Sequence, residues 1–203
     1  MLYRKGMQVA ERFRQELCPK VLRQNAWIPA DTDEGVAYWE ALQLVKAWTE
    51  INHAVLHDMA ELLYGVTLTQ VTRVVSSHNF VFREGSVYAH AKGATPMVAG
   101  ELQLVPMNMS EGVWVVQPSQ SDFAPHGAGR NVSRTAYLES DTGKAPPSVT
   151  HRFYSGHPDV TEYPGAYKDP QAIESVVEAH SLATIVDRIR PHGVIMAGRS
   201  QFD

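Results

Sequence analysis

Residues 102–116 read LQLVPMNMSEGVWVV, and this stretch contains two short runs of apolar residues with a turn between them. The runs, at 102–105 and 113–116, are rich in Leu and Val, which favour strands. The stretch therefore predicts two short strands separated by a turn.

The chain on the N-terminal side of these strands changes from helix to strand near Thr67. The apolar pattern predicts a helix over 8–24, disturbed at Cys18-Pro19, and a long helix that starts near Asp31 to Glu34. Apolar residues spaced by three and four indicate that this long helix faces a core; they are Leu44, Trp48, Ile51, Val55, Met59 and Leu62. Further short strands are predicted at 71–75, 80–82 and 86–89.

The C-terminal side contains loops, one helix and a strand-like end. Residues 118–130 and 139–150 are rich in small and turn-forming residues, and they predict loops. Asp169-Pro170 has the signature of a helix start, and residues 182–196 are strand-like. The order of elements predicts an α+β fold with mixed or antiparallel strands and flanking helices, in a single domain over residues 1–203.

The composition limits the kinds of ligand site, metal site and cellular location that we expect for this chain. Hydrophobic residues make up 44% of the 203 residues, and the formal net charge is −4, so a phosphate ligand would need a local cluster of Lys and Arg. The single cysteine, Cys18, excludes an intrachain disulfide and a cysteine zinc cluster. Without an evident leader or long apolar run, we expect a cytoplasmic protein with no membrane partner.

The stretch from Pro125 to Arg130, PHGAGR, is the most informative for chemistry. Glycines after a histidine let backbone N–H groups approach phosphate oxygens, and Arg130 carries a planar fork suited to phosphate. Ser133 and Arg134 add a hydroxyl and a second guanidinium. A histidine in this setting is either a metal ligand or a nucleophile towards phosphorus, although composition alone also fits a glycine-rich turn with an exposed histidine.

Several ordered motifs, together with this stretch, resemble the C-terminal half of RtcB-type RNA-splicing ligases. The motifs are His78-Asn79, Lys92-Gly93-Ala94-Thr95, Pro106-Met107-Asn108-Met109, His126-Gly127-Ala128-Gly129-Arg130 with Ser133-Arg134, and Ala166-Tyr167-Lys168-Asp169. Asn52 also stands where the family has an asparagine. The resemblance implies the C-terminal part of the RtcB fold.

The resemblance also implies a reaction and a set of site residues. Members join an RNA 3'-phosphate or 2',3'-cyclic phosphate to a 5'-hydroxyl, using GTP and Mn²⁺, through a histidine–GMP intermediate in tRNA splicing and RNA repair. By position, His126 is the catalytic residue and His78 the metal ligand. The residues implied to bind the nucleotide are His78, Asn79, Lys92, Pro106, Met107, Asn108, Met109, His126, Gly127, Ala128, Gly129, Arg130 and Tyr167.

The sequence also departs from the family pattern. The family's metal-binding cysteine turn, its Asn-His pair and a further histidine motif have no counterpart here, Met107-Asn108 replace a Gly-Ser pair, and a C-terminal Lys-Gly is absent. We therefore expect ligation to need a missing N-terminal half. We also expect a partner chain or homo-oligomerisation to cover the strand edges that the absent half would leave. Two alternatives stay open: a non-catalytic nucleotide- or RNA-binding remnant, and a small metal-dependent phosphodiesterase using His78 and His126, which the low count of metal ligands disfavours.

Overall fold

The computed structural model describes residues 2–65, 74–75, 80–119, 123–140 and 144–199. The chain divides into two compact units, Met1–Val71 and Thr72–Asp203. Among the described residues, the first unit contains helices alone and the second contains all the strands. The combination confirms the α+β class, whereas the single domain over 1–203 stays a prediction.

The first unit consists of helix α1 (Leu2–Leu17), a short 3₁₀ turn (Arg23–Asn25) and helix α2 (Asp33–Tyr64). Helix α1 ends before Cys18-Pro19, because a residue that precedes proline disfavours the helical conformation. The side chain of Thr32 caps α2 by accepting a hydrogen bond from the N–H of Gly35 (3.1 Å). The predicted start of the long helix is therefore confirmed, whereas the helix predicted at 8–24 begins and ends earlier.

The apolar stripe of α2 is exposed, so the prediction that it faces a core is wrong in this structure. Trp48 is 65% exposed and Leu62 is 83% exposed, and the other members of the stripe are also at least about half exposed. Helix α1 contacts α2 near its N-terminal end, where Arg12 pairs with Glu34 (2.5 Å). The periodicity correctly identified residues that share a helix face, but not what covers that face.

The described part of the second unit contains four small sheets. The antiparallel pairs are β1 (Val81–Glu84) with β2 (Val87–His90) and β3 (Ala94–Pro96) with β6 (Phe123–Pro125), and a parallel pair joins β7 (Thr150–Phe153) to β9 (Gly193–Met196). The three-stranded antiparallel sheet has the order β4 (Gln103–Pro106), β5 (Val113–Pro118) and β8 (Ala183–Ile189). The unit also contains helices α3 (Arg134–Glu139) and α4 (Pro170–Ala179), and short 3₁₀ turns at Val160–Glu162 and Pro164–Ala166.

The core of this unit lies against the three-stranded sheet. Alternate residues of β4 and β5 are buried, and Val105, Trp114 and Val116 cluster with Val177 of α4. Asp169 caps α4 by accepting a hydrogen bond from the N–H of Gln171 (3.0 Å), and Pro170 begins the helix. The strands and the helix start predicted in this region are confirmed. The strand predicted at 71–75 lies mostly outside the described residues, as does the middle of the loop at 139–150.

Candidate functional site

The loop from His126 to Arg130 begins where β6 ends, and its first residue is tied to the Lys92-Gly93 motif. Strands β3 and β6 pair with Ala94 opposite Pro125. The backbone N–H of His126 then donates to the carbonyl of Gly93 (3.2 Å). Gly93 has a φ of +76°, a conformation that glycine adopts without strain. Lys92, which is exposed, is thereby placed next to the histidine along this edge.

The turn that follows β4 lies against the middle of the loop. The N–H of Ala128 donates to the carbonyl of Pro106 (3.1 Å), and Met107 packs so closely on Gly127 that an added Cβ would overlap its sulfur. The buried side chain of Asn108 accepts hydrogen bonds from the N–H groups of Ser110 and Glu111 (3.0 and 3.1 Å). Asn108 therefore closes its own turn, and Gly127 makes room for Met107.

The segment from Ala166 to Asp169 lies against the end of the loop. The N–H of Lys168 donates to the carbonyl of Gly129 (3.0 Å), and the N–H of Asn131 donates to the carbonyl of Ala166 (3.0 Å). Arg130 and Tyr167 form an antiparallel bridge between the two segments. The structure thus brings together four motifs that are separated along the sequence: 92–95, 106–109, 126–130 and 166–169.

The imidazole of His126 is enclosed at the centre of these motifs, with only 2% of the residue exposed. Ala124, two residues earlier on β6, is fully buried and opposite Thr95, which is also fully buried. A ligand can reach the ring nitrogens only if a neighbouring group moves. The alternative of an exposed histidine on a glycine-rich turn is therefore wrong.

The guanidinium of Arg130 is held by protein groups. Its Nε donates to the carbonyl of Val132 (3.2 Å) and its Nη1 donates to the carbonyl of Thr161. The guanidinium carbon also lies 5.5 Å from the centre of the Tyr167 ring. Nη2 is buried and makes no hydrogen bond with any residue in the described ranges. Arg130 thus joins the loop to the segment around Thr161 and Tyr167.

Glu162 is the electrostatic centre of that segment. Its carboxylate accepts hydrogen bonds from the hydroxyl of Tyr167 and from the guanidinium of Arg134, and one oxygen lies 3.9 Å from Nη1 of Arg130. Burial, followed by the hydrogen bond to Glu162, raises the pKa of Tyr167 to about 12. The hydrogen bond to Glu162 also raises the pKa of Arg134. Tyr167 is consequently a protonated donor at neutral pH.

The sequence indicated no role for Glu162 or for the side chain of Lys168, and Ser133 has a different role in the structure from the one expected. Glu162 belongs to no motif, and only its position before Tyr167 could have suggested it. Lys168 lies inside a quoted motif, but its side chain was not assigned. Ser133 caps α3, since its hydroxyl accepts a hydrogen bond from the N–H of Ala136 (3.1 Å).

The proposed metal ligand cannot be placed, because His78 and its neighbour Asn79 lie outside the described residues. Within the described ranges, no three His, Cys, Asp or Glu side chains lie close enough together to hold a metal ion. The described residues therefore do not by themselves fit a Mn²⁺ site. No helix in those ranges combines the length and apolar character needed to cross a membrane.

A surface depression elsewhere in the second unit contains none of the motif residues. It lies along α4 and β8 and includes the ion pair between Glu174 and Arg188. Its other charged lining residues, Glu178 and Asp187, are both acidic. Its lining does not suit a phosphate ligand, so the loop at 126–130 is the stronger candidate.

Comparison with known proteins gives a consistent match over nearly the whole chain. The profile of the family described as tRNA-splicing ligase RtcB matches residues 3–197. The chain is 25% identical to tRNA-splicing ligase RtcB of Pyrococcus furiosus, covering 93% of this chain and 24% of that protein. It is also 25% identical to tRNA-splicing ligase RtcB of Aeropyrum pernix, covering 85% of this chain and 44% of that protein. The chain thus spans less than half the length of these relatives.

Proposed function

The chain belongs to the RtcB family of tRNA-splicing ligases, and on that premise we propose that it is the part of an RNA ligase that carries the guanylate-accepting histidine, His126. The ligase would join an RNA 3'-phosphate or 2',3'-cyclic phosphate to a 5'-hydroxyl end, with GTP as the source of the guanylate. Its partners would be RNA ends and GTP, in tRNA splicing or RNA repair in the cytoplasm.

The observation that carries the proposal is the meeting of four separate motifs around His126. Three main-chain hydrogen bonds tie the loop to its neighbours, through the carbonyls of Gly93, Pro106 and Gly129. We would not expect a glycine-rich turn without a functional role to lie against these particular segments. The arrangement supports a single binding site built from 92–95, 106–109, 126–130 and 166–169.

The chemistry assigned to His126 is nucleophilic attack on phosphorus. The neutral imidazole uses the lone pair of one ring nitrogen to form a bond to the α-phosphorus of GTP, while the bond from that phosphorus to the bridging oxygen breaks. Pyrophosphate leaves with the electron pair, and the guanylate stays on the histidine. A cation beside the loop, such as Lys92, stabilises the charge on the transferred group.

The metal requirement is the part of the reaction that these residues support least. The described residues contain no cluster of three possible metal ligands. We assign Mn²⁺ binding to His78 together with ligands from further polypeptide, such as the N-terminal half that the family resemblance implies. This division agrees with the 24% and 44% coverage of the two relatives.

A second candidate function is nucleotide or RNA binding without catalysis. Two observations favour it: His126 is enclosed, and the side chain of Met107 occupies the space beside Gly127. A methionine at that position hinders close approach of a phosphate to the loop backbone. The two candidates share the same site and differ in whether a covalent bond to His126 forms.

Incubation with α-labelled GTP and Mn²⁺, with and without a supplied N-terminal half, tests the proposal. We expect an acid-labile protein–GMP adduct that is absent from the variants His126→Ala and His126→Gln. The control is His180→Ala, because His180 is exposed at the end of α4 and far along the chain from the loop. If folded wild-type protein forms no adduct under either condition but binds GTP, the non-catalytic function replaces the ligase.

A further inference from the structure

We propose that Lys168, rather than Arg130, is the cation that contacts the phosphates of a bound nucleotide at the end of the loop, and that Arg130 is a positioning residue. The inference rests on the proposed nucleotide site at His126. It changes which residue determines affinity, since family resemblance alone assigns phosphate contact to Arg130 and gives no role to Lys168.

The surroundings of Arg130 leave its guanidinium little capacity for a ligand. Two of its three nitrogens donate to the carbonyls of Val132 and Thr161, and the third, Nη2, is buried. A phosphate oxygen cannot reach Nη2 unless the surrounding chain moves. The guanidinium also lies over the ring of Tyr167 and near Glu162, whose carboxylate offsets its charge.

Lys168 has the opposite environment. Its side chain lies along the backbone of Gly129, where an added Cβ would stand 3.4 Å from Cε and 3.6 Å from Nζ. The end of the Lys168 side chain therefore lies within ordinary van der Waals distance of the position that a Cβ on Gly129 would take. The position is held from the main chain as well, because the N–H of Lys168 donates to the carbonyl of Gly129 (3.0 Å).

The carboxylates of the segment 159–169, which contains Lys168, are engaged with other partners. Asp169 caps α4 through Gln171, Glu162 is bound by Tyr167 and Arg134, and Asp159 accepts from the N–H and hydroxyl of Thr161. Within the described part of the chain, no carboxylate pairs with Lys168. Lys168 as a whole is half-buried. Its ammonium group is therefore available to a phosphate, which binds such a point charge well.

The two lysines of the site are placed at opposite ends of the loop. Lys92 precedes Gly93, whose carbonyl binds the N–H of His126, and Lys168 binds Gly129. A polyphosphate lying along residues 126–129 would meet one positive charge near the reacting histidine and one near the far end. The arrangement suits a nucleoside triphosphate better than a single phosphate group, because two separated charges match an extended anion.

The test compares the variants Lys168→Met, Lys168→Arg and Arg130→Met in the complete chain. Calorimetry measures their affinities for GTP and for inorganic tripolyphosphate, and thermal unfolding measures their stabilities. For Lys168→Met we expect about a tenfold or larger loss of affinity for both ligands, since one charged contact is lost, with an unchanged melting temperature. Lys168→Arg should restore most of the affinity.

Arg130→Met is expected to lower the melting temperature, because two backbone carbonyls lose their donor. Measured well below its transition, this variant should bind tripolyphosphate within a few-fold of wild type. The inference is overturned if Lys168→Met binds as well as wild type while Arg130→Met loses binding, or if wild-type protein binds neither ligand.

Adduct formation is scored separately, so that the two proposals can fail independently. A labelled His126 adduct that forms equally well in Lys168→Met would overturn the role of Lys168 and leave the ligase proposal standing. Loss of tripolyphosphate affinity in Lys168→Met, without any adduct in wild type, would support Lys168 and remove the covalent step.

Discussion

The hydroxyl of Tyr167 donates a hydrogen bond to the carboxylate of Glu162, and this contact fixes the ring over which the guanidinium of Arg130 lies. Glu162 also accepts a hydrogen bond from Arg134, just beyond the loop. Glu162, which belongs to none of the motifs, thus connects the end of the glycine-rich loop to the segment 160–167. The stability of the site should depend on it.

Alkaline pH should lower the free energy of unfolding, because Tyr167 loses its proton. Its pKa is raised from 10.0 to about 12 by burial and by the hydrogen bond to Glu162. Folding therefore favours the protonated phenol, and the resulting stability is complete below pH 10 and is lost as pH rises from 10 to 12. Tyrosinate absorbance and denaturant unfolding across this interval provide the measurement. Tyr167→Phe should lack this titration, and a phenol that titrates at its ordinary pKa would contradict the prediction.

Replacing Glu162 with Gln should lower the free energy of unfolding by roughly 1–3 kcal/mol, because two donors, Tyr167 and Arg134, lose a charged acceptor. The pKa of Tyr167 should fall but stay above its ordinary value, since burial is the larger cause. Glu174→Gln is the matched control: it removes a single ion pair, that with Arg188. The carboxylate of Glu174 is more exposed than that of Glu162, and the expected contribution of the pair is below about 1 kcal/mol. Equal losses in the two variants would argue against a special role for Glu162.

Gly127 should be intolerant of alanine because of Met107. A Cβ on Gly127 overlaps the methionine sulfur, so Gly127→Ala should cost about 1–3 kcal/mol of stability. Met107→Ala alone should cost roughly 2–5 kcal/mol, and the double variant should cost clearly less than the sum. Gly129→Ala is the control, as its Cβ would make ordinary contact with the flexible end of Lys168. Additive costs in the double variant would contradict the packing described.

The exposed apolar face of α2 should drive association. Trp48 and Ile51 are each 65% exposed, and contiguous apolar surface of this kind normally marks a contact with another chain. Analytical ultracentrifugation of the isolated protein should show species larger than a monomer, and the double variant Trp48→Glu/Ile51→Glu should reduce them. His53→Glu adds charge at an exposed position outside the stripe and should change little. A wild-type protein that is monomeric at high concentration would contradict the prediction.

Features of the fold were predictable where a side chain interacts with residues close to it in the sequence. Asp31 to Glu34 located the start of α2, and Asp169-Pro170 located the start of α4, because capping depends on residues within one turn. The short strands β3, β6 and β7 and helix α3 were not predicted, since such brief elements have too few residues for a period to emerge.

The sequence predicted which residues belong to the site, but it did not predict the contacts among them. The order of the motifs indicated a common site, but the pairing of Thr95 with Ala124 and the bond from Lys168 to Gly129 join residues about thirty or more positions apart. Spacing along the chain does not encode such contacts. The engagement of Arg130 and Arg134 with Thr161 and Glu162 likewise could not be predicted, because Glu162 stands in no recognisable pattern.

The main-chain bonds that hold the loop have a consequence for how this family diverges. The carbonyls of Gly93, Pro106 and Gly129 are present whatever side chains stand nearby, so mutation can replace neighbouring residues without releasing the loop. The turn at Met107-Asn108, where the family resemblance implies a Gly-Ser pair, is an example, since its bond to Ala128 is in place. Over long descent, the position of His126 should therefore outlast the reaction that we propose for it, and pseudoenzymes with an intact loop are an expected product of this architecture.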